Sequence, residues 1–141
     1  GVDIDTMSNY YETKCGATLR SILAAFKDRR LLSNSMVSAD FTKAKGKVLS
    51  YHFGHTHREL TKYSKDIDLW QICTATAQVS TDAAVIGAPK TEQDTKGNDW
   101  VSYDRKYGSE NEACMDVISA TSNDIVKFAL GAGSNEDLKY E

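Results

Sequence analysis

Long apolar runs are missing from this sequence: no stretch approaches the roughly 20 apolar residues of a membrane span. Gly1 to Thr13 has neither the basic start nor the apolar run of a signal peptide, so no membrane association is expected. Cysteine is scarce and unpatterned. Cys15, Cys73 and Cys114 lie far apart, form no C-x-x-C pair and are odd in number, which excludes a disulfide-stapled scaffold and points to a reducing compartment. A cationic excess is also lacking. The 17 Lys and Arg against 20 Asp and Glu leave a net charge of -3, so general nucleic-acid binding is not expected, although a nucleic acid could still be a substrate. No internal repeat or low-complexity tract is present.

What remains fits one soluble globular unit over residues 1–141. The chain has 141 residues, 40% of them apolar, and a chain of this length buries roughly 68% of the surface that its unfolded form exposes. Residues 14 to 30 place Leu19, Ile22, Leu23 and Phe26 at helical spacing, which predicts a core-facing helix. Residues 31 to 46 read as a loop with room for a short strand. Val48, Leu49, Tyr51 and Phe53 predict a buried strand that stops at Gly54, and Ile67 to Ala77 predicts a second. Ser80 to Glu112 is mostly polar and holds the one proline, Pro89; it reads as a functional loop, a pair of short strands or a partner surface. Ala113 to Thr121 and Asp124 to Leu130 flank Ser122-Asn123 and read as a β-hairpin. The fold class is therefore α+β, mostly antiparallel or mixed β with one clear helix. Leu23, Phe26, Leu49 and Trp70 are its expected core.

All three histidines fall in Tyr51-His52-Phe53-Gly54-His55-Thr56-His57-Arg58, where the first predicted strand runs out. In an extended segment His55 and His57 leave the same side of the backbone, and Gly54 permits a close approach to them. Two convergent imidazoles suit a transition metal; surface histidines at a strand terminus are the alternative reading. The offset of His52 turns it to the other face, where a neighbour would satisfy it.

Gly54-His55-Thr56-His57, preceded by the strand KVLSYHF, resembles the G-H-x-H signature of calcineurin-like metallophosphoesterases. The order of an amphipathic helix (LRSILAAF), the stretch DFTKAKGKV, GHTHREL, the strand DLWQICTA, a long loop and a hairpin ending DIVKFALGAG is similar to the C-terminal portion of members from Gram-positive bacteria and their phages. The resemblance implies an αββα sandwich, of which this chain would be the C-terminal half. It also implies a centre of two divalent metal ions (Mn, Fe, Ni or Zn), with His55 on one ion, His57 on the other and Arg58 near the phosphate of a phosphoester substrate. Two adjacent cations orient a phosphoester and offset charge on the entering and leaving oxygens. Thr56, Glu59 or a backbone carbonyl would orient the imidazoles.

The family's D-x-H, G-D-x-x-D and G-N-H-[DE] motifs are absent, and Asp3 and Asp5 read as terminal solvation. Two histidines cannot hold two metals. The expectation is therefore a C-terminal portion of a longer hydrolase, cytoplasmic or virion-associated, inactive by itself. It would expose an apolar face unless a missing N-terminal portion or another chain covers it. A non-catalytic structural or interaction module on the same scaffold is the alternative, and a structural zinc site recruiting Cys73 or Cys114 is a lesser one.

Overall fold

The computed structural model describes residues 15–54, 58–75, 90–94, 96–103, 105 and 108–140. Over these the chain is mostly β with one helix. Helix α1 spans Cys15–Lys27, and Leu19 and Leu23 pack on the buried pair Ile67 and Leu69, as their spacing predicts. The helix ends in a Schellman-type turn. Arg30 N bonds the Ala25 carbonyl and Arg29 N that of Phe26, with Arg29 at φ 52°, a left-handed position more often held by glycine. Its guanidinium donates to the carbonyls of Phe26, at 2.7 Å, and Gly46.

A small hairpin follows, β1 (Leu31–Ser33) with β2 (Ser38–Asp40). The first main sheet is built from β3 (Ser50–Phe53), β4 (Leu60–Ser64) and β5 (Leu69–Cys73), in the order β3-β5-β4. Strands β4 and β5 form an antiparallel hairpin, whereas β3 runs parallel to β5 with Phe53 opposite Cys73. Strands β6 (Lys90–Gln93) and β7 (Asp99–Ser102) pair in a separate hairpin. The polar 80–112 segment thus contains the pair of short strands allowed for it. The second main sheet has the order β10-β9-β8, all antiparallel, from β8 (Cys114–Ala120), β9 (Asp124–Gly131) and β10 (Glu136–Lys139). The turn between β8 and β9 covers Ser122 and Asn123, with Ala120 opposite Ile125.

The two main sheets meet through Ile72, Ile125 and Leu138, with Leu49, Trp70 and Ile118 around them. Leu23, Phe26, Leu49 and Trp70 are only half-buried, a correction to the expected core. They form its margin, while Leu69, Ile72 and Ile125 are closed off completely. The opposite face of the second sheet is apolar and open. Met115 faces Leu130 and Val117 faces Phe128 across β8 and β9, and these four side chains are 48–55% exposed.

Candidate functional site

Strand β3 delivers the chain to Gly54 at the end where β5 also finishes. Thr74 N donates to the Phe53 carbonyl at 3.3 Å, and a Cβ on Gly54 would stand 3.9 Å from the Thr74 carbonyl. Thr74 Oγ1 donates in turn to Asp116 Oδ2 on β8 at 2.5 Å. The other oxygen, Asp116 Oδ1, is buried and receives no hydrogen bond from the described residues. A buried carboxylate oxygen without a donor is costly, which marks it as a place where an N–H or a cation would be favourable. His52 lies on the same strand end, exposed, with Nε2 2.8 Å from Ser50 Oγ. Partial desolvation draws its imidazole below the ordinary value, against the opposing attraction of the Asp116 charge.

The chain re-enters at Arg58, whose Nη1 pairs with Glu92 Oε2 at 2.5 Å. Glu59 then bridges β7 in both directions, donating from N to the Val101 carbonyl at 2.8 Å and accepting from Val101 N at 2.9 Å. Its side chain enters a buried charged cluster. Lys127, on the central strand β9 and wholly inaccessible, donates to Glu59 Oε1 and lies 2.6 Å from Glu136 Oε1. Tyr103 OH donates to Glu59 Oε2, Ser134 Oγ donates to it at 3.1 Å, and Thr61 Oγ1 donates to Glu136 Oε1 at 2.9 Å. Burial opposes the Lys127 ammonium, but its hydrogen bonds to Glu136 and Glu59 outweigh that and lift its pKa above the ordinary value. Burial and the hydrogen bond to Glu59 push the Tyr103 phenol well above its usual range.

His55 and His57, like Asp3 and Asp5, lie outside the described residues. Among the described residues no group of three or more His, Cys, Asp or Glu is placed to hold a metal. Cys73 and Cys114 are free thiols buried in the core, and burial raises the Cys114 pKa. Glu59, a candidate for orienting the imidazoles, is already committed to Lys127, Tyr103 and Ser134. Asp116, which spacing alone does not single out, has a buried oxygen with no donor among the described residues. Its only sequence signal is an acid inside a mostly apolar strand. Imidazoles such as those of His55 and His57 are of the chemistry that suits a transition metal.

Compared with protein-family models, curated proteins and solved structures, the chain matches none.

Proposed function

We propose that this chain is the C-terminal portion of a metal-dependent phosphoester hydrolase, completed by an N-terminal portion or another chain that brings the carboxylate ligands. His55 and His57 would each bind one of two divalent ions, which supply Lewis-acid activation when bound. The observation that carries the reading is where the sequence motif begins. Its first residue, Gly54, stands at the carboxyl end of β3, beside that of its parallel partner β5, and Thr74, just after β5, donates to Asp116, whose other oxygen has no donor among the described residues. Carboxyl ends of parallel strands are where open α/β sheets place their ligands. Arg58 is the proposed phosphate contact, reached by exchanging its half-exposed partner Glu92 for substrate. The open apolar face of β8 and β9 supports the αββα reading, in which a further layer covers that sheet.

The test is manganese-dependent hydrolysis of bis(p-nitrophenyl) phosphate by the complete protein, with metal content measured by elemental mass spectrometry. His55→Ala and His57→Ala should each lose at least 100-fold in activity, on the order of the cost of a lost metal ligand or its support, and bind fewer ions. Undiminished hydrolysis in both variants would end the proposal.

A further inference from the structure

The net charge of the chain hides a segregation of sign. Residues 15–47 carry seven Lys and Arg against Asp28 and Asp40, an excess of five, in a chain whose total is -3. The fold gathers these cations at one end. Arg29 ties the end of α1 to the Gly46 carbonyl, Phe41 N donates to the Arg30 carbonyl at 3.3 Å, and the Phe26 and Phe41 rings meet edge to face at 5.7 Å. Residues 27–30 and 41–47 are thereby held together, with Lys27, Arg30, Lys43, Lys45 and Lys47 all exposed. Beside them lies a cavity of about 210 Å³ lined by Lys27, Arg29 and Lys47, by Asp68, and by apolar residues that include Leu23 and Leu69. The nearby acids Asp66 and Asp68 reduce the excess from five to three. Asp66 and Asp68 pair with Arg20 and Lys47, and Asp28 with Arg30; Asp40 accepts from Thr42. Lys43 and Lys45 have no ion-pair partner among the described residues.

We propose that this cationic end docks the phosphate backbone of a nucleic acid, and that the phosphoester hydrolysed lies in that polymer; the inference rests on the hydrolase reading above. The reason is distance. Lys47 stands before β3 and Gly54 after it, about 20 Å apart at the ~3.3 Å rise of extended chain. That exceeds the ~8 Å Debye length of physiological salt, so these cations would do little for a small phosphomonoester at the motif. A polymer with a phosphate every ~3.4 Å along each strand reaches both ends at once. A lipid surface fits less well. The apolar side of α1 is spent on Ile67 and Leu69, and the hairpin exposes only two large apolar side chains, Leu31 and Met36.

The experiment is fluorescence anisotropy with a labelled DNA duplex of about 20 base pairs, in EDTA, across about 50 to 200 mM salt. Contacts from Lys27, Lys43 and Lys45, the three without a carboxylate partner among the described residues, predict a slope of log affinity against log salt of about -2.7. The surface variant Lys43→Glu/Lys45→Glu, with an unchanged circular dichroism spectrum, should bind at least tenfold more weakly at the low salt, with a slope flatter by about 2. Equal binding by variant and wild type overturns the proposal, as does no binding by the wild type, or binding to phosphatidylserine vesicles alone. Because chelator is present, the assay reads the surface without the metal. Hydrolysis of bis(p-nitrophenyl) phosphate without DNA binding removes the docking surface and leaves the enzyme. DNA binding without any phosphoester hydrolysis removes the substrate assignment.

Discussion

Replacing Lys127 by Met removes the ammonium that Glu59 and Glu136 share in the interior. Met fills most of the volume of the aliphatic stem, so packing is largely kept and the charge is the main loss. Breaking a buried ion pair by deleting one partner costs about 3–5 kcal/mol, because the remaining charge stays desolvated. Here Tyr103, Ser134 and Thr61 still donate to the two carboxylates, which places the loss near the lower end, at about 3 kcal/mol. Urea unfolding followed by the fluorescence of Trp70 and Trp100 reads it; with a slope of about 2 kcal/mol per molar, the midpoint falls by about 1.5 M. The variant Lys127→Met/Glu59→Gln/Glu136→Gln should regain at least half of the loss, since no unpaired charge is then buried. The pH dependence has a definite sign. The Lys127 pKa is raised on folding, so its stabilisation is complete below the unfolded value near ~10.4 and disappears as pH rises through the folded one. Wild type and Lys127→Met should therefore converge in alkaline solution. A loss below about 1 kcal/mol at neutral pH would refute the reasoning, because that is the worth of an exposed pair.

Two glycines of similar backbone angle should respond differently to alanine. At Gly131 (φ 85°) an added Cβ collides with the Ala113 carbonyl beside the β8 and β9 ladder, whereas at Gly97 (φ 80°) nothing lies within 4 Å. Gly97→Ala should cost about 1 kcal/mol for the left-handed backbone alone, and Gly131→Ala at least twice that; equal shifts in melting temperature would contradict the packing around Gly131. Asp94 holds the β6 and β7 turn by accepting from the backbone N–H of Lys96 and Asn98 at 2.8 and 2.9 Å and from Trp100 Nε1 at 3.1 Å. Partial burial works against its charge, but these bonds and that from the Asn98 side chain hold its carboxyl far below the usual range. The turn should stay closed above pH ~3.9 and weaken as pH falls toward the folded pKa. In Asp94→Ala the Asn98 amide should exchange at least tenfold faster at neutral pH, and unchanged exchange would show that the carboxylate does not hold the turn.

Where the apolar spacing had one interpretation, the elements were legible: the helix from Leu19, Ile22, Leu23 and Phe26, strand β3 from its β-branched and aromatic run, the last hairpin from its polar turn. β6 and β7 were not resolved because their strands are polar and Asp94 organises the turn through side-chain bonds that spacing does not record. The second sheet shows a deeper ambiguity. In Asp124-Ile125-Val126-Lys127-Phe128-Ala129-Leu130 alternation defines two faces but not which of them is inside. Hydrophobicity favours the face of Val126, Phe128 and Leu130, yet the buried one carries Ile125 and Lys127. A lysine there becomes intelligible only with its acceptors, and Glu59 is 68 residues away in sequence. The two anomalies have separate causes. The inward face is charged because it closes on Glu59, whose carboxylate accepts from Lys127 and Tyr103. The outward face is apolar as a sheet face is when another layer packs upon it. A sheet polarised in this sense is fastened to the first sheet through Lys127 and Glu59 on one side and offers an open apolar face on the other.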